Sequence, residues 1–285
     1  MVKVIRGKDI EGKPASIYVN HLLQKSLDVA IDRVRKHNWD YVCLVCGIPG
    51  SGKSTLARTI ARYCCPWFDN QYIAFSGEEF VRITNNAPEY SAVILDESFQ
   101  SLNSRVTMSP EFIRIINHLQ IIRQKHLFII LCLPNFFDLT KGVAVFRSSH
   151  LFVTYAGDDG IRGRFKAFDR NKKRSLYVIG GKYMNYNCVQ SNYVAAFRKN
   201  RDMMSEDDYE KMKYAHLMAQ QEKLIKKAEK VDKLLKPVKI MFERGMTTRE
   251  IANLLGVTMK TIQRKIQTLR ENKQIAQKSS KKTQT

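Results

Sequence analysis

The chain has 285 residues, of which 44% are hydrophobic, and this is enough for one α/β domain with a buried core and a smaller second domain. Lysine and arginine total 48 against 27 aspartates and glutamates, and the net charge of +21 favours a polyanionic partner, most simply nucleic acid, over a surface charged only for solubility. The six cysteines lack the spacing of a disulfide framework, and neither the first residues nor any later stretch is apolar enough for a signal peptide or a membrane span, so we expect a cytoplasmic protein.

The N-terminal region, residues 1–40, is predicted to form an arm and a helix. Residues 1–16 are polar and are expected to form an extended arm or short strands. Between Tyr18 and Arg35 the apolar residues recur at the spacing of a helix, which leads into the first buried strand. These apolar residues are Leu22, Leu23, Leu27, Ala30, Ile31 and Val34.

A phosphate-binding motif follows the buried strand predicted for Tyr41–Cys46. The run from Gly47 to Thr55 fits the P-loop pattern G-x-x-x-x-G-K-S/T, and a helix is predicted directly after it. Glycines let backbone N–H groups curl around an anion, Lys53 would reach the β- and γ-phosphates of ATP, and the Ser54 hydroxyl would bind Mg²⁺. The predicted nucleotide-binding residues are Gly47, Pro49, Gly50, Ser51, Gly52, Lys53, Ser54 and Thr55.

A second strand motif supplies carboxylates. The apolar run Ala92–Leu95 ends in Asp96 and Glu97, which is the pattern of a Walker B strand. Asp96 is predicted to hold the Mg²⁺ shell, and Glu97 is predicted to orient and deprotonate the attacking water, which favours hydrolysis over transfer to another acceptor. A strand that happens to end in two surface acids is the alternative.

The remaining pattern predicts an α/β fold, a parallel-sheet P-loop NTPase core with a β-hairpin extension. Capping signals predict helices that begin near Ser76 and Ser109. The predicted strands are residues 72–75, 92–95, 126–133 and 151–155, and the predicted hairpin pairs residues 162–168 with residues 175–179. The basic runs at 162–164 and 170–174 would form one patch that follows a phosphate backbone, or a solvated surface.

Several of these motifs together resemble those of a known ATPase family. The P-loop, the Asp-Glu pair, and the runs at 127–134 and 143–149 are similar to HerA/FtsK-type DNA-pumping ATPases, which include viral packaging ATPases and zonular-occludens-toxin-like phage proteins. The resemblance covers roughly residues 40–180. It implies a homo-oligomer arranged as a ring, in which an arginine of one subunit enters the site of its neighbour; Arg105 and Arg147 are the candidates. It also implies a polar sensor after the fourth strand, where this chain has Cys132 and, slightly later, Asn135.

The composition changes near residue 200, after the ATPase domain assigned to residues 41–200. Residues 201–236 are predicted as a charged linker helix, with packing onto the ATPase domain as the alternative. Residues 237–271 are predicted as a small all-α helix-turn-helix domain that begins at Pro237, with a helical oligomerisation module as the alternative, and residues 272–285 as a basic disordered tail. In such modules the second helix enters the major groove of double-stranded DNA. The predicted DNA contacts are Lys260, Thr261, Gln263 and Arg264.

The sequence therefore predicts an ATPase that couples ATP hydrolysis to work on DNA, as a translocating motor or a remodelling enzyme with Mg²⁺ as cofactor. Two alternatives stay open at this stage. One is a P-loop kinase that acts on a nucleotide or polynucleotide, and the other is a DNA-binding regulator that uses its nucleotide site as a switch.

Overall fold

The structure of this chain is a computed structural model. It describes residues 1–8, 13–96, 110–157, 160–200, 206–267 and 269. These residues form two compact units, Met1–Lys213 and Tyr214–Thr285. Glu97, Arg105 and the predicted tail at 272–285 lie outside the described residues.

The first unit is built on a sheet of seven strands among the described residues. A separate antiparallel pair, β1 and β2, comes before it in the chain. The strands are β1 (Val2–Lys8), β2 (Pro14–Val19), β3 (Tyr41–Cys46), β4 (Ile73–Ala74), β5 (Ala92–Leu95), β6 (Phe128–Leu133), β7 (His150–Tyr155), β8 (Arg164–Phe168) and β9 (Tyr193–Ala196). The sheet order is β4-β5-β6-β3-β7-β8-β9; the pairs from β4 to β7 are parallel, and β8 is antiparallel to both of its neighbours.

Helices alternate with the parallel strands, which confirms the predicted α/β class. The α-helices are α1 (His21–His37), α2 (Lys53–Cys64), α3 (Gly77–Asn86), α4 (Pro110–Ile121), α5 (Arg170–Ser175), α6 (Gly181–Tyr183), α7 (Glu206–Glu243), α8 (Thr248–Leu255) and α9 (259–267). Short 3₁₀ turns lie at Asn70–Tyr72 and Ile122–Lys125, and π-helical turns lie at Gly142–Arg147 and Leu176–Gly180.

The central strands are apolar along their whole length because both faces of the sheet are covered. All six residues of β3 and all six of β6 are buried. Alternate residues of β3 belong to different cores: Cys43 and Val45 pack on one face, and Val42 and Leu44 pack on the other. Continuous burial of this kind is typical of a parallel sheet between two helical layers.

The prediction of a second hairpin strand at residues 175–179 is wrong. Residues 175–179 are helical, because α5 ends at Ser175 and passes directly into the π-helical turn. The Asp169 side chain caps α5 by accepting a hydrogen bond from the Lys172 amide, and Leu176 is buried against the core. β8 finds its antiparallel partners elsewhere, in β7 and in β9.

The domain boundary predicted at Pro237 does not coincide with a helix end, because α7 runs without interruption from Glu206 to Glu243. Proline inside a helix costs about 3 kcal/mol through its missing N–H and its ring. Val238, the next residue, is fully buried in the core of the second unit. We attribute the continuity of the helix to this packing, which offsets the local cost.

The second unit contains the later part of α7 and two shorter helices, α8 and α9, which are joined by a short turn. Thr247 and Glu250 form a reciprocal capping box at the start of α8, and Gly256 ends that helix in the left-handed conformation with φ of 60°. The buried side chains that hold the unit together are Val238, Ile251, Ala252, Ile262 and Ile266.

Candidate nucleotide and magnesium site

The P-loop connects the end of β3 to the start of α2, at the carboxyl edge of the parallel strands. Two of its glycines are required by contacts as well as by backbone angles. A Cβ on Gly47, whose φ is 149°, would lie 2.4 Å from the carbonyl oxygen of Thr154. A Cβ on Gly52, whose φ is 96°, would lie 2.9 Å from the ring of Phe197. The loop therefore packs tightly on its own unit, and only glycine fits at these two positions.

The side chains of the loop divide into an outer and an inner set. The Lys53 ammonium lies across the loop and donates to the carbonyl oxygens of Gly47 at 2.8 Å and of Ile48 at 3.0 Å. Ser51 is buried, and its hydroxyl contacts the Thr154 hydroxyl at 2.7 Å. Thr154 in turn donates to the carbonyl oxygen of Cys46 at 3.1 Å. Ser51 and Thr154 thus support the loop on its buried side. Lys53 remains on the side where phosphates bind in P-loops.

Asp96 follows β5 and lies at the same edge of the sheet as the P-loop, because β5 and β3 are both parallel to the strand between them, β6. It is 1% exposed, and its amide donates to the carbonyl oxygen of Ala74 at 2.8 Å. The Tyr209 hydroxyl donates to its Oδ2 atom at 2.5 Å. The Ser54 hydroxyl hydrogen-bonds the same tyrosine oxygen.

This arrangement tests whether the predicted metal ligands suit Mg²⁺. Ser54 and Asp96 both reach one small polar atom, the Tyr209 oxygen, so the hydroxyl and the carboxylate are spaced to share a single ligand. Hydroxyl and carboxylate oxygens with a phosphate nearby are the donors that Mg²⁺ takes in nucleotide sites. The two residues therefore fit the metal, with the tyrosine oxygen in the position of the shared ligand.

Tyr209 is a site residue that the sequence did not reveal. It is 6% exposed, the Arg58 guanidinium lies 4.6 Å from its ring centroid, and its ring lies 6.0 Å from that of Phe75. Burial, followed by the nearby Asp96 carboxylate, raises the pKa of its hydroxyl. Tyr209 stands on the first turns of α7, far from Asp96 in sequence, and no local pattern relates the two residues.

Asn135 and Cys132 lie at the end of β6, between the P-loop strand and the Asp96 strand. Cys132 is buried, and burial raises the pKa of its thiol. The Asn135 Oδ1 atom accepts a hydrogen bond from the Tyr186 hydroxyl at 2.9 Å. Asn135 also lines a cleft of about 550 Å³ that reaches Gly47. The structure thus places Asn135 next to the P-loop, and its role as a sensor stays a prediction.

Arg147 is not brought to the P-loop of its own chain. It precedes β7, so it lies at the amino edge of the parallel strands, opposite the P-loop. Its guanidinium forms an ion pair with Asp40, and its Nε atom donates to the carbonyl oxygen of Leu119 at 3.0 Å. These contacts tie the start of β3 to α4 and β7. A role of Arg147 in a neighbouring subunit stays a prediction.

The two basic runs do not form one patch. They flank β8, with residues 162–164 at one end of the strand and residues 170–174 at the other. Lys173 is fully buried and donates to the carbonyl and hydroxyl oxygens of Ser148. Burial, followed by the charge of Arg170, lowers the pKa of Lys173 to about 7. The sequence had suggested that this run follows a phosphate backbone. Because Lys173 is buried, it cannot take part in such a contact.

The predicted DNA contacts share the outer face of α9. Lys260, Gln263 and Arg264 are exposed, whereas Ile262 and Ile266 point into the core of the second unit. The Thr258 hydroxyl caps the start of the helix by accepting a hydrogen bond from the Thr261 amide at 3.4 Å, and it lies 2.9 Å from the Thr261 hydroxyl. The helix thus presents a cationic and amide-bearing face opposite its buried face.

Three solved structures are similar to this chain over part or most of its length. The N-terminal domain of zonular occludens toxin from Neisseria meningitidis is 14% identical, with 57% of this chain and 96% of that chain covered at a TM-score of 0.39. The genome packaging NTPase B204 from Sulfolobus turreted icosahedral virus 2, in complex with ATP-gammaS, is 13% identical, with 47% and 94% covered at a TM-score of 0.34. A RuvB variant from Thermotoga maritima is 16% identical, with 90% and 87% covered at a TM-score of 0.35.

Sequence comparison matches only the C-terminal part of the chain to a known family. A family profile described as ECF sigma factor matches residues 195–279, which include α7, α8 and α9. No curated protein sequence matches the chain. With TM-scores below 0.5 for the structures, we assign the P-loop NTPase fold from the chain's own sheet order, P-loop and Asp96 strand.

Within the part of the chain that the structure describes, no helix has the length and apolarity needed to cross a bilayer. The same residues contain no cluster of three or more histidine, cysteine, aspartate or glutamate side chains that could hold a metal ion. Cys43 and Cys46, which have the spacing of half a zinc site, are both buried within β3 as free thiols.

Proposed function

We propose that the protein is a Mg²⁺-dependent ATPase that works on double-stranded DNA as a homo-oligomer, of the translocating or remodelling type. The observation that carries the nucleotide part is the convergence of Ser54 and Asp96 on one oxygen position beside the Lys53 loop. A chance match to the P-loop pattern would not bring the end of a second strand into hydrogen-bonding range of the same atom.

Each residue then has one role. Lys53 neutralises charge on the β- and γ-phosphates, and the backbone amides of the loop bind phosphate oxygens. Ser54 and Asp96 would hold Mg²⁺. The bound ion would neutralise the negative charge that develops on the phosphates during hydrolysis. Glu97, the residue after Asp96, orients the attacking water and accepts its proton.

The ATPase proposal is tested by Mg²⁺-dependent phosphate release. We expect Lys53→Ala to abolish turnover, because the phosphate charge loses its counterion. Glu97→Gln should still bind ATP but hydrolyse it at least ~100-fold more slowly, the lower range for loss of a general base. Glu89→Gln, which removes an exposed carboxylate elsewhere, is the matched control. Parental hydrolysis by Glu97→Gln would refute the role of Glu97, and labelled phosphate found on an acceptor other than water would favour a kinase.

The DNA part of the proposal is supported by the net charge of +21 and by the exposed face of α9. Cations that bind phosphates release counterions, so binding to duplex DNA should weaken with salt, with a log–log slope of about −0.9 per phosphate contact. Gln263→Ala or Arg264→Ala should cost roughly 1–3 kcal/mol at one preferred sequence if the residue reads a base. An equal loss on all sequences would indicate a phosphate contact, and no loss on any sequence would refute this face as the DNA reader.

The oligomer part predicts that a neighbouring subunit completes the site, with Arg105 or Arg147 as the arginine it supplies. Specific activity should then rise with protein concentration as subunits assemble. A rate that is independent of concentration in a proven monomer would contradict it.

A further inference from the structure

Residues 160–163, the last residues of the β7–β8 connection, lie next to the P-loop. On one side the Gly157 amide donates to the carbonyl oxygen of Ile161 at 3.0 Å. On the other side the Phe197 amide donates to the carbonyl oxygen of Gly163 at 2.7 Å. The residue between these two bonded neighbours is Arg162, so its backbone is fixed from both sides.

The same segment is attached to the P-loop by a side chain. The Phe197 ring lies 2.9 Å from the position that a Cβ on Gly52 would take. Because the Phe197 amide bonds to Gly163 and its ring contacts Gly52, one residue connects the strand connection to the phosphate loop. A shift of the loop would have to move this connection with it.

The Arg162 guanidinium lies over the middle of the P-loop. Its Nη1 atom is 3.7 Å, and its Cζ atom 3.8 Å, from the position of a Cβ on Gly50, which has a φ of 77°. The side chain is exposed, so its charge faces the solvent from which the nucleotide enters. A guanidinium offers several N–H donors in a planar fork that matches two phosphate oxygens, and this geometry exceeds what an ammonium such as Lys53 provides.

We propose that Arg162 is a catalytic residue that contacts the β- and γ-phosphates of ATP bound in its own subunit. The inference rests on the proposed ATPase function and extends it, because it assigns a second same-chain cation besides Lys53, whereas Arg105 and Arg147 are proposed to act in a neighbouring subunit. The guanidinium donates hydrogen bonds to phosphate oxygens and stabilises the charge that accumulates on them during transfer to water.

The first experiment compares Arg162→Ala with Arg162→Lys in the full chain. Arg162→Ala should weaken ATP binding about tenfold or more, with a smaller effect on ADP, and should slow hydrolysis at least about 100-fold. Arg162→Lys should restore much of the binding but little of the rate, since an ammonium replaces the charge and not the fork. Arg174→Ala, which removes an exposed arginine of α5, the helix that follows β8, should match the parental protein. If the parental protein hydrolyses ATP and Arg162→Ala does so at the same rate and affinity, the inference is wrong; if the parental protein does not hydrolyse ATP, the proposed function fails instead.

The second experiment asks in which subunit Arg162 acts. Subunits with Lys53→Ala are mixed with subunits that carry Arg162→Ala, and phosphate release is measured. If Arg162 serves its own P-loop, every site in the mixture lacks one of the two cations and activity stays at the level of the separate variants. Recovered activity would show that a lysine of one subunit cooperates with the arginine of another, and would overturn the assignment to the same chain.

Discussion

Tyr209→Phe is the substitution that most directly probes the metal site. The Tyr209 oxygen lies where Ser54 and Asp96 would share a ligand, so Mg²⁺ can occupy that position only after the hydroxyl has moved away from the carboxylate. Phenylalanine keeps the ring, and with it the contacts to Arg58 and Phe75, but removes the competing oxygen.

The magnitude follows from the hydrogen bond that is removed. A hydrogen bond to a charged group contributes roughly 1.5–3 kcal/mol, and Asp96 at 1% exposure has little access to water that could replace it. If that free energy opposes metal binding, the apparent affinity for Mg²⁺ in the parental protein is lowered roughly tenfold to 100-fold. The same bond stabilises the fold, so the variant should also lose about 1–3 kcal/mol of unfolding free energy in the absence of metal.

The assay is a Mg²⁺ titration of nucleotide binding, followed by a fluorescent ATP analogue, together with urea unfolding without metal. Tyr209→Phe should need less Mg²⁺ for half-maximal binding than the parental protein and should unfold at lower urea. Tyr214→Phe removes an exposed hydroxyl from the same helix and should change neither quantity. A variant that needs more Mg²⁺ would refute this reasoning, and would indicate that the hydroxyl positions the Asp96 carboxylate for the metal.

Two further predictions concern the loop and the core. Gly52→Ala should abolish nucleotide binding and lower stability by roughly 1–2 kcal/mol, because its Cβ would meet the Phe197 ring at 2.9 Å in a left-handed conformation; Gly142→Ala, where the added atom meets nothing within 4 Å, is the control. The lowered pKa of Lys173, about 7, means that the unfolded chain binds this proton more tightly above that pH, so the free energy of unfolding should rise from pH 7 to roughly 8.5. Lys173→Met should flatten that rise in urea unfolding at the two pH values, and an unchanged slope would contradict the assignment. Above roughly pH 8.5 the buried Cys43, whose pKa is raised to about 12, contributes the opposite dependence.

Features encoded by adjacent residues could be predicted from the sequence. The P-loop needs glycines at fixed spacing after a buried strand, and the Asp96 strand ends where its apolar run ends. Each motif carries its own stereochemistry, so the strand, the loop and the helix after Lys53 follow from local pattern.

Features that depend on the packing of distant segments could not be predicted. Tyr209 and Thr154 contact the site from elements far away in the chain, and neither has a sequence neighbour that marks it. Arg162 was part of a basic run, but its position beside Gly50 depends on hydrogen bonds made by residues on either side of it. The predicted strand at 175–179 failed for the same reason, since a side-chain cap and burial of Leu176 outweighed the local alternation.

The most direct test of an ATPase that works on DNA is the rate of ATP hydrolysis by the full-length protein with and without duplex DNA. Measured in Mg²⁺ at two salt concentrations, the rate should rise when DNA is added, the increase should shrink at the higher salt, and Lys53→Ala should show no turnover under any condition. Hydrolysis that persists in Lys53→Ala would contradict the site, and a rate that DNA leaves unchanged at low salt would contradict its coupling to DNA.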